Sequence, residues 1–441
     1  MRKLFLLTAL MLLAPQAGLK TRLYATQTAP ASNPLAGDVD KISAEINPQV
    51  VAWRRDFHKF PELGNHETRT AKVIADELKR LGYEVTVNVA TTGVVGVLRG
   101  GRPGPVVALR SDMDALPVTE QGDLPFKSSA KAQWAGQEVG VMHACGHDNH
   151  MAILLGTATT LARMRDRLPG TVKVIFQPAE EGAPPGEVGG AEQMIKENAL
   201  ENPKVDAMFG LHVFPFPVGQ VRYRPGPLMA SQDNFIIRVK GRQTHGAIPW
   251  GGIDPIVIGS QIVMAMQTII SRSVNITEAP AVVTVGRFTG GNRANIVPEQ
   301  IELEGTVRAF DENVRTDIQN RIRSLATNIA EASGATATVE IAKGYPVTRN
   351  DPGLTERMLP TLRRVAGDVV QASLTGTAED FSFFGQQVPS MFIFLGVTPK
   401  DQDYTKVAQN HSPLFFADEA ALPVGVRVMT NLTLDYLFGG K

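Results

Sequence analysis

The chain is short of cysteine: Cys145 is the only one in 441 residues. A disulfide framework is therefore excluded, and the lone thiol is either inert in a core or chemically employed. An excess of charge of one sign is also missing. Lysine plus arginine number 44, as do aspartate plus glutamate, so no global field draws the chain to nucleic acid or to an anionic membrane. Neither internal repeats nor heptads appear. The phosphate-cradling lysine loop and the G-x-S-x-G nucleophile elbow are absent too, so no motif of either kind competes for the chemistry.

What is present begins with a leader. Arg2 and Lys3 precede an apolar run over residues 4–13, followed by Pro15 and small residues, the layout of a secretory signal. That run is too short to serve as a stable membrane span. Residues 1–25 are expected to direct export to a periplasm or beyond, with cleavage between Ala17 and Ala31; an uncleaved tether is the alternative. Residues 26–40 are small, polar and proline-bearing and read as a linker, and the globular pattern starts at Ile42. The length suggests two domains.

Val73, Ile74, Leu78 and Leu81 form an apolar stripe that predicts a helix over 68–81, stopped by Gly82. Strands are predicted at 85–89, 94–98, 106–110, 171–177 and 207–213, and helices at 149–165 and 189–198. This alternation predicts an α/β fold, a mixed sheet covered by helices. The order then changes to strand 235–240, helix 255–271, strands 281–288 and 300–309, helix 314–333 and strand 336–341. That β-α-β-β-α-β order is a ferredoxin-like α+β module. The simplest reading is a catalytic metal-binding domain over 40–228 and 345–441, with a lid or dimerisation domain inserted at 229–344.

Three segments carry the chemistry. In His143-Ala144-Cys145-Gly146-His147-Asp148-Asn149-His150, Gly146 lets the chain bend so that a thiolate and an imidazole face one centre. Glu180 and Glu181 follow a predicted strand, at the end of an α/β sheet where sites form. Being adjacent in extended chain, they should point to different sides, one toward metal and the other toward substrate. Asp112 and Asp114, two apart, share one side of an extended segment and could bind metal or orient a ligand histidine. His212 and His411 stand near further strand ends. Taken singly, each residue also reads as a core histidine, a solvated carboxylate or a buried thiol. Taken together, nitrogen, oxygen and sulfur ligands at several strand ends point to metal-assisted hydrolysis.

The ordered segments Arg55-Asp56-Phe57-His58, Pro61-Glu62, Asp112/Asp114, the Cys145 cluster, Pro178-Ala179-Glu180-Glu181-Gly182, Gly210-Leu211-His212, His245-Gly246-Ala247, Asn295, Glu379-Asp380-Phe381 and His411-Ser412-Pro413 resemble the aminoacylase-like metallo-amidohydrolases. That family includes hippurate and auxin-conjugate hydrolases. The resemblance runs from about Ile42 to the C-terminus. It implies that Cys145, His147, Glu181, His212 and His411 bind two divalent metals, with Glu180 as general base and Asp114 as a carboxylate behind the ligands. It implies that His245 reaches the transition-state oxygen from the lid, across a homodimer, and that Asn295 contacts substrate. Thr244 and Gly246 depart from the glycine and alanine that flank this histidine in many relatives. Thiolate and imidazole suit zinc, cobalt or nickel, and the carboxylates also admit manganese.

The implied activity is hydrolysis of the amide bond of N-acyl amino acids or similar small conjugates. A metallo-dipeptidase or carboxypeptidase shares this chemistry and differs in the acyl side. Two readings of other classes are a cysteine hydrolase built on Cys145 and a metal-dependent binding protein without turnover.

Overall fold

Strands Pro169–Gln177, Arg102–Asp112, Ala207–Pro217 and Ser390–Thr398 lie side by side and parallel at the centre of an eight-stranded sheet. Their buried stretches are almost continuously apolar, as in Phe392, Ile393, Phe394 and Leu395, because both faces are covered. Antiparallel strands Gly93–Arg99 and Glu84–Val89 extend one edge, and the short strands Val221–Tyr223 and Val369–Gln371 extend the other. The computed structural model describes residues 33–439; the leader expected over 1–25 lies outside the described residues.

The pleat divides the core in two. Val107, Leu109, Val172, Val174, Phe209 and Leu211 face one cluster, covered by helices Ala36–Lys59, His147–Ala162 and Leu422–Gly439. Ala108, Ile175, Met208, Phe392 and Phe394 face the other, under helices Gly190–Lys196 and Phe381–Gly385. Among the described residues no helix is long and apolar enough to cross a membrane.

Two expectations from the sequence change. The linker read over 26–40 gives way to helix at Ala36, because Leu35 and Val39 already pack in the core. Asn33 is buried as well, its side chain on Asp435 and Asn431. The helix predicted at 149–165 runs instead over His147–Ala162. Its first turn is a buried row of polar residues that carries no apolar periodicity.

The second sheet orders strands Ala281–Gly290, Gln300–Ala309, Asp233–Lys240 and Thr336–Lys343, all antiparallel. With helices Pro255–Thr268 and Glu312–Ala332 it makes the predicted β-α-β-β-α-β module around its own core of Phe235, Ile237, Ile262, Met266, Leu303 and Ile322. Asp254 and Asp311 start those helices by accepting their first free amides. The expected helical run to 271 closes in a wide turn, Ile269–Ser273.

One buried carboxylate ties the module's entry to its exit. Asp233 accepts from Arg315 at 2.5 and 2.9 Å, from Gln319 at 2.6 Å and from the Gly344 amide at 3.2 Å.

Candidate metal centre

Strand ends bring the chemistry together at the C-terminal edge of the parallel strands, where α/β sheets place ligands. Gly146, at φ +95°, turns the chain from Cys145 into helix His147–Ala162. A Cβ there would meet Val213 at 2.4 Å, so the turn requires glycine. His212 projects from Ala207–Pro217, Glu180 and Glu181 follow Pro169–Gln177, and His411 occupies the segment after Ser390–Thr398.

The Cys145 sulfur lies 3.3 Å from His212 Nε2 and 3.3 Å from His411 Nε2. His411 Nε2 in turn lies 2.9 Å from Glu181 Oε1. Among the described residues five overlapping sets have ligand atoms within 4.8 Å of one another: Cys145, His147 and His212; Cys145, Glu181 and His411; His147, Glu180 and Glu181; Asp112, His147 and His150; and Glu180, Glu379 and Asp380. The structure thus brings together Cys145, His147, Glu181, His212 and His411, with Glu180 beside them. All but the fully buried His147 line a small cavity of about 80 Å³ with Phe214, Met229 and Glu379. A larger groove of about 490 Å³ beside Lys72 and Val87 holds none of these groups.

The donor set fits cations. His212 Nδ1 bonds the Val213 carbonyl and His147 Nδ1 bonds the Asp114 carbonyl, each at 2.8 Å. Each bond places a ring proton on Nδ1 and turns Nε2 inward, where a cation can take the place of a proton. His147 Nε2 is buried without a hydrogen-bond partner. Two imidazole Nε2 atoms, a sulfur and carboxylates converge here, a mixed donor set that suits a divalent ion.

The local field agrees. Burial acts against a charged His147, yet Asp112 and Asp114 reverse this and lift it to about 10. Burial, then Glu181 and Glu180, push the Cys145 thiol up. Burial, then Glu379, Glu181 and Asp380, push Glu180 well above the usual carboxylate range.

Asp112 and Asp114 flank one imidazole. Asp112 Oδ2 is 3.7 Å from His147 Nε2, and Asp114 Oδ1 is 3.3 Å from His147 Nδ1. Asp114 also accepts from the Glu181 amide at 2.9 Å. His150 stands one layer back, between Asp112 Oδ1 at 2.6 Å and the Val213 amide at 2.8 Å, bracing the strand that carries His212. His143 stays outside the ligand groups, and burial pushes it down to about 3, a neutral ring.

The extended geometry expected at Glu180 and Glu181 is not what forms. The strand ends at Gln177 and the pair sits in a turn between Ala179 at φ +49° and Gly182 at φ +108°. The side chains diverge all the same: Glu181 meets His411, while Glu180 Oε2 lies 3.9 Å from His147 Nε2.

His245 and Asn295 are not brought to this cluster. They lie, both exposed, at a short ladder of the inserted module, where His245 pairs with Ile296 and the Gly246 amide bonds the Asn295 carbonyl at 2.8 Å. Neither lines the cavity.

Sequence reasoning missed Asn410, whose amide nitrogen holds the Cys145 carbonyl at 2.9 Å and lines the cavity. Its position next to His411 was the available signal. It also assigned nothing to Arg110, buried against Asp112, Glu379 and Asp380 at 2.8–2.9 Å. Its neighbour Asp112 gave no sign of so buried a guanidinium.

The chain belongs to the peptidase family M20/M25/M40, whose model matches residues 108–435. A thermostable carboxypeptidase 1 of Saccharolobus solfataricus is 40% identical over 395 residues, covering 89% of this chain and 96% of that protein. IAA-amino acid hydrolase ILR1-like 2 of Arabidopsis thaliana is 36% identical over 419 residues, covering 91% and 90%. The crystal structure of the Bacillus subtilis YXEP protein, described as a dinuclear metal binding peptidase from the M20 family, is similar with TM-score 0.75 and 34% identity, covering 90% of this chain and 99% of that one. The protein is a metal-dependent hydrolase.

Both Cys145 and His147 hold protons that an incoming cation must displace. Calorimetric titration of metal-free protein with Zn²⁺ or Mn²⁺ in buffers of different ionisation enthalpy should show proton release at neutral pH. Cys145→Ser should release about one proton fewer and retain less metal after dialysis. Unchanged metal content in that variant would remove Cys145 from the ligand set.

Proposed function

We propose that the protein hydrolyses the amide bond of N-acyl amino acids or similar small amino-acid conjugates, using two divalent cations held by Cys145, His147, Glu181, His212 and His411. The observation that carries this reading is the divergence of two adjacent carboxylates in one cavity, Glu181 toward His411 and Glu180, among the described residues, without a cationic side chain at hydrogen-bond distance. The cations supply Lewis acidity and lower the pKa of a water molecule. Glu180 accepts the proton of the attacking water and delivers it to the leaving amine nitrogen. Asp114 holds His147 and the Glu181 amide, and the activities named for the IAA-amino acid hydrolase and YXEP relatives support the substrate class and metal count. The carboxypeptidase relative favours short peptides as the second reading.

Glu180→Gln keeps the shape of the side chain and removes the base. It should retain metal and bind substrate while turnover falls about 10²–10⁴-fold, roughly 3–5 kcal/mol of barrier. Glu181→Gln should lose metal first and recover part of its activity in excess metal. The reverse pattern, read by metal analysis and initial rates on N-acyl amino acids and dipeptides, would overturn the assignment.

The inserted module, taken as residues 229–344, is proposed to act as a lid and as the contact to a second copy. Trp250 is 81% exposed and Met264 71%, with Val257 and Val282 also in solvent, and strand Ala281–Gly290 leaves one edge unpaired. A partner seated there gives His245 and Asn295, exposed in a single chain, a route to the other copy's cavity. His245 then donates to the developing oxyanion and Asn295 binds substrate. Mixing inactive His245→Ala and Glu180→Gln chains should restore activity through subunit exchange. No recovery after exchange shown by mass would count against the shared site.

Export rests on the Arg2, Lys3 and residues 4–13 pattern. Cleavage between Ala17 and Ala31 would leave the packed Asn33 on the mature chain. Intact mass of protein recovered from a periplasmic fraction should show a new N-terminus between residues 17 and 31, whereas full-length cytosolic protein would exclude processing.

A further inference from the structure

The turn that carries Glu180 and Glu181 is strained at its start. Ala179 adopts φ +49°, a left-handed conformation that is unfavourable for a residue with a Cβ and persists only where its surroundings impose it. Three side chains from three distant segments impose it. The Ala179 amide donates to Glu67 Oε1 at 2.9 Å, the Glu181 amide donates to Asp114 Oδ2 at 2.9 Å, and the Tyr345 hydroxyl donates to the Glu180 carbonyl at 2.5 Å. Three successive residues are thus each held by one backbone bond to a side chain outside the turn.

Asp114 already has a place beside His147. Glu67 and Tyr345 have none. Glu67 is buried, starts helix Thr68–Arg80, and receives the Thr92 hydroxyl at 2.5 Å on its second oxygen. A carboxylate placed among buried groups with its partners on Thr92 and on a strained amide is costly to keep without a role in holding them. Tyr345 is the residue after Gly344, whose amide bonds Asp233 at the module's entry. Its hydroxyl therefore links the point where the chain leaves the inserted module to the backbone of the candidate base.

We propose that Glu67 and Tyr345 are positioning residues for Glu180, clamping the Ala179–Gly182 turn so that the Glu180 carboxylate is aimed at the substrate water. The proposal rests on the reading of Glu180 as the base. Neither residue lines the cavity. Glu67 fixes the strained entry to the turn, and Tyr345 fixes the peptide of Glu180 itself relative to the module's hinge. Small displacements of an aligned reacting group reduce rate strongly while leaving binding of the ground state nearly untouched.

The test uses the full, metal-loaded enzyme. Tyr345→Phe removes one hydroxyl and should lower kcat about 10- to 100-fold, with KM, bound metal and melting temperature close to the parent's. Glu67→Ala should lower kcat by a similar factor. Glu67→Gln should restore a large part of it, because an amide oxygen still accepts from Ala179 and the amide nitrogen can meet Thr92. If Glu67→Ala proves poorly folded, Tyr345→Phe and the Glu67→Gln comparison remain readable. A kcat within twofold of the parent in Tyr345→Phe and in folded Glu67→Ala would overturn the clamp, as would losses that follow metal content or KM. Active Glu180→Gln would overturn the base assignment instead, so the two failures are distinguishable.

Discussion

A fully buried guanidinium anchors the floor of the centre. Arg110 gives Nη1 to Asp112, Nη2 to Glu379 and Asp380, and Nε to Gln177. It thereby joins the ends of two central strands to the segment ahead of helix Phe381–Gly385. Carboxylates packed this densely in a dry interior repel one another, and each isolated ion costs several kcal/mol to bury. With Arg110 in place, Asp112 can hold His150, His150 can hold the strand of His212, and Asp380 can receive Gln177 and the Ala191 amide. The inner ligands inherit their positions from this outer charge balance.

The same arrangement explains why the centre attracts cations rather than merely tolerating them. Carboxylates outnumber guanidinium around the cavity; burial and this surplus negative charge raise Cys145, and against burial the same charge raises His147. Ion binding exchanges protons for metal within groups already in place, so little side-chain reorganisation is needed. The shell behind the ligands, Val213 and Asp114 carbonyls for the two imidazoles and Asn410 for the Cys145 carbonyl, keeps the ligand atoms aimed.

Much of this was legible in the sequence because it is local. The Cys145–Gly146–His147 bend depends on three adjacent residues, the large sheet announces itself through continuous apolar runs and the second sheet through alternating ones. The inserted module was readable for the same reason: each of its strands and helices carries its own periodicity. What escaped was non-local. Glu67, Tyr345 and Arg110 act through partners at sequence separations that no spacing rule connects, and each looks ordinary in its own segment. The turn at Ala179 was misread as extended chain because alanine carries no signal for a left-handed backbone. The first helix was misread as linker because Ala36, Gly37 and Asp38 are small or polar, and only Leu35 and Val39 reveal its buried face.

The staple at Asp233 has an architectural consequence. A segment of more than a hundred residues enters and leaves the larger unit at two points within reach of one carboxylate. A loop whose ends already coincide adds little closure entropy to the host, since that cost grows only with the logarithm of loop length. The larger sheet can therefore carry the insertion without distortion of its own strand register, and the insertion can vary in length or surface without moving its attachment. Such a junction makes the two parts separable in evolution: the host keeps the ligand geometry, and the guest is free to acquire new faces.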